Sequence, residues 1–220
     1  MNCKIVGYEY KTLEVILSPG ESLYAERGSI VWVDEALQRD AEWNGGGSDG
    51  GLGSLIGGVL KSALSGESVL IIHFYNPSNT EKKMVLSGSL CALVPIRLQG
   101  ENMICRRGHY VASTNKVSLN LNFNLQGLLG GVGLFQKVEG NATVFLDSLG
   151  SPIEKILSEE EIIEVDENHI VALQGFQSGQ IQAGWSFCNV LRGEGLSLMR
   201  LKGPGKLYLS PIPMIVNTKQ

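Results

Sequence analysis

Glu21-Ser-Leu-Tyr-Ala-Glu-Arg-Gly28-Ser-Ile-Val-Trp-Val33 is a phrase that this chain states three times. It returns as Glu101-Asn-Met-Ile-Cys-Arg-Arg-Gly108-His-Tyr-Val-Ala-Ser113 and as Glu161-Ile-Ile-Glu-Val-Asp-Glu-Asn168-His-Ile-Val-Ala-Leu173. Two short apolar runs flank a turn residue in every copy. Each copy is followed by a glycine-led run: Gly66-Glu-Ser-Val-Leu-Ile, Gly131-Val-Gly-Leu-Phe-Gln and Gly193-Glu-Gly-Leu-Ser-Leu. Self-similarity at this scale decides the architecture, because one such unit cannot bury a core alone and neighbours must share it.

Working outward, Gly28, Gly108 and Asn168 occupy one column. Gly and Asn enter the left-handed region most readily, so the pattern predicts a tight hairpin turn with positive φ at each. Turn-like segments Asn76-Pro-Ser-Asn79, Glu139-Gly-Asn141 and Lys202-Gly-Pro-Gly205 then lead to returning strands. Repeats are placed at about 19–98, 99–158 and 159–216 of a single domain spanning 1–220. The reading is all-β: a sandwich or barrel-like roll of three internal repeats, with one short glycine-rich helix.

That helix lies in an insertion at about 45–65. Leu52, Leu55, Ile56, Val59 and Leu60 fall at helical spacing and form an apolar stripe. Gly53, Gly57 and Gly58 weaken an isolated helix, each by roughly 1 kcal/mol against alanine. The stripe therefore needs packing. It covers an open end of the β-body, contacts another subunit, or touches a membrane surface.

Composition excludes several classes. The chain has 220 residues, 43% of them hydrophobic, and a formal net charge of −4. An acidic balance without a basic stripe argues against nucleic acid. Cys3, Cys91, Cys105 and Cys188 form no C-x-x-C pair and predict small buried hydrophobes. No apolar run reaches the ~18 residues a span requires, and the N-terminal stretch lacks signal-peptide character. The expected setting is cytoplasmic.

Candidate chemistry is sparse. His109 and His169 share a column filled by Ser29 in the first copy, while His73 lies apart; no metal-ligand spacing connects them, so turn histidines are expected. Gly45-Gly-Gly-Ser48-Asp-Gly50 mimics a nucleophile elbow but has no strand before it. No phosphate-binding loop appears. Arg106-Arg107 reads as a solvated turn flank or an anion contact. In Glu159–Glu167, alternation places Ile163 and Val165 on one face and Glu164 and Asp166 on the other. No catalytic residue, metal ligand or cofactor is expected.

Pro19-Gly-Glu21, Arg27-Gly28-Ser-Ile-Val, Ser65-Gly66-Glu-Ser68, Gly193-Glu-Gly-Leu196 and Gly203-Pro-Gly205, with a glycine-rich segment before the third, resemble the altered-inheritance-of-mitochondria twenty-four family. The resemblance implies a double-stranded β-helix like that of the tryptophan RNA-binding attenuation protein, assembly into homo-oligomers, and no catalytic residues. The functional expectation is a non-enzymatic structural or interaction protein. It would be a homo-oligomeric scaffold, a trimer among the options, with a membrane-associated partner possible. The alternative is a binding module with an apolar pocket for a small ligand.

Overall fold

A computed structural model describes residues 1–44, 69–120, 135–188 and 195–214. The helical stripe Leu52–Leu60 lies outside these residues.

Among the described residues, nineteen strands form four antiparallel sheets. The first repeat follows β1 (Asn2–Val6). It contains β2 (Thr12–Leu17), β3 (Ser22–Glu26), β4 (Ile30–Val33), β5 (Gln38–Asn44), β6 (Val69–Tyr75) and β7 (Lys82–Ser87). The second contains β8 (Ala92–Gln99), β9 (Met103–Arg106), β10 (Tyr110–Ser113), β11 (Ser118–Asn120), β12 (Phe135–Glu139) and β13 (Asn141–Ser148). The third contains β14 (Ile153–Leu157), β15 (Ile162–Asp166), β16 (Ile170–Gln174), β17 (Ile181–Cys188), β18 (Gly195–Lys202) and β19 (Gly205–Leu209). Each structural unit thus begins one strand earlier than the phase set by the repeated phrase.

The phrase itself is not a hairpin. β3 pairs with β6 in the second sheet, whereas β4 pairs with β7 in the first. β9 and β10, and again β15 and β16, are divided between sheets in the same way. A two-stranded ribbon, β3–β4 against β6–β7, is folded at the turn residue so that its halves face each other. The turn is a corner. Residues Arg27–Ser29 and Glu167–His169 make 3₁₀ turns there. Gly108 alone of the two column glycines is left-handed, with φ +75°.

Every repeat therefore yields two three-stranded half-sheets. Between repeats the half-sheets join edge to edge. β3 pairs with β10 through Ala25↔Ala112 and Tyr24↔Ser113. β9 pairs with β16 through Cys105↔Ala172, Ile104↔Leu173 and Met103↔Gln174. The second sheet runs β5-β6-β3-β10-β13-β8 and the third β11-β12-β9-β16-β19-β14. The outer two are short: β1-β2-β7-β4 and β15-β18-β17.

Three cores fill the spaces between four stacked sheets. Leu13, Leu17, Leu23, Phe74, Met84 and Leu86 lie between the first and second. Val94, Ile96, Leu98, Met103, Val144 and Val171 lie between the second and third. Ile104, Leu157, Ile170, Phe176, Met199 and Leu201 lie between the third and fourth. The strands of β2 alternate buried and open positions, as a sheet with one wet face requires. β9 and β10 are buried at every position because both faces of an inner sheet are covered.

The corner at Gly108 has open space around an added Cβ, so its cost to a side chain is conformational alone. Gly108→Val is expected to lower unfolding free energy by more than about 1 kcal/mol, read by denaturant titration. An unchanged midpoint would remove the argument.

Candidate functional site

The polar residues that the fold gathers are at the corners. The residue before the turn caps it in two copies. Glu26 accepts from the Gly28 amide at 2.6 Å, and Asp166 accepts from the Asn168 amide at 2.9 Å. An acidic side chain here satisfies a turn N–H that has no strand partner. Burial raises the Glu26 carboxyl above the usual carboxylate range, against the pull of the Gly28 amide and Arg27.

The middle copy carries Arg106 in that column. It is no solvated flank: its side chain is 1% exposed. Its Nη2 donates to the Met214 carbonyl at 2.5 Å and reaches Asn168 Oδ1 at 3.4 Å. Its guanidinium carbon stands 5.9 Å from the centre of the Phe135 ring. Nε and Nη1 have no hydrogen-bond partner among the described residues. Burial lowers the Arg106 pKa, while Glu167 and Asp166 oppose that shift. The Met214 amide donates to the Asn168 carbonyl at 2.7 Å. Arg106 thus pins residues 210–214 against the corner of the next repeat.

The histidine column serves the same corners. His109 Nδ1 lies 3.1 Å from the Asp147 carbonyl, and His169 Nδ1 lies 2.7 Å from the Ser210 carbonyl. The return amides of Asp147 and Ser210 donate to the His109 and His169 carbonyls at 2.8 and 2.7 Å. Each histidine is clamped to the strand that closes its own repeat. Burial lowers the His109 pKa, against the Asp147 carbonyl and charge. Asp147 also holds the 88–91 loop, accepting from the Ser89 amide at 2.5 Å, Ser89 Oγ at 3.0 Å and the Leu90 amide at 3.1 Å.

Burial pushes the Cys105 thiol up to about 12 and the half-buried Cys3 thiol up to about 11, which disfavours the reactive thiolate at both. Among the described residues, no group of three His, Cys, Asp or Glu side chains is placed to hold a metal. None of their helices is long and apolar enough to cross a membrane. Two surface depressions, about 480 and 470 Å³, lie near Arg97, Asn115 and Asn141, and near Cys3, Ile5 and Phe145. The first is lined by β8, β13 and residues 114–115, and the second by β1 of the first sheet and β8 and β13 of the second.

The family model for "Mitochondrial biogenesis AIM24" matches residues 3–212. The chain belongs to the AIM24 family. An uncharacterized protein of Streptococcus pyogenes serotype M6 is 28% identical over 210 residues, covering 93% of this chain and 82% of the relative. A crystal structure of a Streptococcus pyogenes protein superposes with a TM-score of 0.68 at 23% identity. It covers 97% of this chain and 94% of that one. That likeness establishes a shared fold. The family's function is unknown, and these relatives bring no site residues.

Sequence reasoning found the corner columns but missed what fills them. Arg106 departs from the acid–acid pattern set by Glu26 and Asp166, and that departure was the available signal.

Arg106→Met should cost about 2–4 kcal/mol, since it strands the Met214 carbonyl in a buried site. Calorimetry would show this as a Tm lower by several degrees. For His109, the folded pKa lies below the ordinary value while the unfolded chain protonates near 6.5. Stability is therefore lost as pH falls through about 6.5 toward the folded pKa. His109→Asn should flatten the fall in Tm between pH 7 and pH 5; an unchanged slope would assign that loss elsewhere.

Proposed function

We propose that this AIM24-family chain is a non-enzymatic structural protein that acts as a homo-oligomeric β-scaffold. One observation carries the reading. Buried Arg106, Asp147 and Ser210 brace corners, while large apolar side chains stand in water at the two ends of the sheet stack. Val31 and Trp32 are exposed on β4, and Ile162 on β15. Exposed apolar groups gathered at particular places mark contact surfaces. Those on a bare strand edge favour another protein chain. The apolar stripe from Leu52 to Leu60 supplies a further contact, to another subunit or to a membrane-associated partner.

A native mass spectrum of gently purified protein tests this. Masses at integer multiples of the chain with nothing bound are the expected result. A monomer at every concentration would overturn it, and an extra mass on each chain would support the small-ligand module instead.

A further inference from the structure

We infer that copies of this chain join head to tail, β15 of one pairing with β4 of the next, to complete a sheet that each chain carries as two halves. This rests on the scaffold reading and specifies its joint.

The outer sheets are the missing halves of one inner sheet. The second sheet is β5-β6-β3 joined to β10-β13-β8. By position in the repeat, β17-β18-β15 matches the first half and β2-β7-β4 the second. Within one chain β15 and β4 are both edge strands. The two joints already made share one register: Ala25↔Ala112 and Tyr24↔Ser113 match Cys105↔Ala172 and Ile104↔Leu173. Carried one repeat onward, that register sets Val165 opposite Trp32, and Glu164 opposite Val33, of the next copy.

Burial along the columns supports the same joint. The strands β4, β10 and β16 all carry a bulge at the same place, at Val31, Val111 and Val171. Val111 and Val171 are 2% and 0% exposed, but Val31 is 54% exposed. In the neighbouring column Ala112 and Ala172 are 0% exposed, and Trp32 is 47% exposed. The preceding repeat covers Val111 and Val171, whereas no described residue covers Val31 in this way.

The opposite end mirrors this. Leu13, Val94 and Ile153 are equivalent, since they pair with Leu86, Leu146 and Leu209 of the return strands. Leu13 and Val94 are 0% and 2% exposed, whereas Ile153 is 55% exposed. Leu13 shares a core with Val111, and Val94 shares one with Val171. The unmatched members are Ile153 and Val31, the last of one column and the first of the other. A second copy brings them together.

The joint is heterologous, so it propagates and closes into a ring or continues as a filament. One polar contact is poorer than within the chain. Gln174 Nε2 donates to Glu101 Oε1 at 2.6 Å across the inner joint. The equivalent residues are two carboxylates, Asp34, which accepts from the Lys83 amide at 2.8 Å, and Glu161, which pairs with Lys155 at 2.6 Å.

The test is sedimentation of full-length variants whose folding is checked by circular dichroism. Val31→Asp/Trp32→Asp removes one end and Ile153→Asp/Ile162→Lys the other. Each alone should weaken association at least about 30-fold, the size of a lost aromatic hot spot. Mixed in equal amounts, the two should give dimers and nothing larger, because each retains one working end. Asp34→Asn should tighten association of the otherwise natural chain severalfold, a gain that misfolding cannot imitate. A natural-sized assembly from either end variant, or no dimer on mixing, would overturn the joint while leaving the oligomer reading intact. A monomeric natural chain would overturn both.

Discussion

Two antiparallel pairings, β3 with β10 and β9 with β16, make one molecule of three folded ribbons. Without them each repeat would be a six-stranded sandwich with bare edges and thin cores. With them each inner sheet grows from three strands to six and gains a covering on both faces. Backbone hydrogen bonding and apolar burial are satisfied by the same contact. One pair in each joint is small and buried, Ala25 with Ala112 and Cys105 with Ala172.

The corners are where this arrangement costs something. A ribbon folded sharply between two sheets leaves turn amides and carbonyls without ladder partners. The chain answers with side chains in fixed columns. Glu26 and Asp166 cap amides, and His109 and His169 meet carbonyls of the return strands. Arg106 breaks the acidic column to reach across repeats, tying residues 210–214 to the third corner. Around its buried guanidinium stand the Met214 carbonyl, the Asn168 amide oxygen and the Phe135 face, with Glu167 and Asp166 supplying opposite charge.

The repeat, the all-β class and the corner positions were legible in the sequence, because spacing and turn residues recur in aligned columns. The division of each phrase between two sheets was not. A glycine between two apolar runs looks the same whether the strands pair with each other or with a distant ribbon. Arg106 was misread for a related reason: Arg106-Arg107 has the composition of a wet turn, and only the arrival of residues 168 and 214 encloses it. The exposure of Val31 was equally hidden, since Val31, Val111 and Val171 are identical in type and differ only in whether a repeat precedes them.

The shared register has a consequence for how such chains lengthen. β3 presents to β10 the same alignment that β9 presents to β16. A chain lacking the middle unit would therefore bring Ala25 level with Ala172, and a chain with the unit doubled would repeat a joint already proven. Recombination at the loops before β8 and β14 changes size in whole modules without opening a new seam. The bulge recurs at Val31, Val111 and Val171, so a doubled unit would meet the same alignment, while the Arg106 tie would hold only where the second corner meets the third.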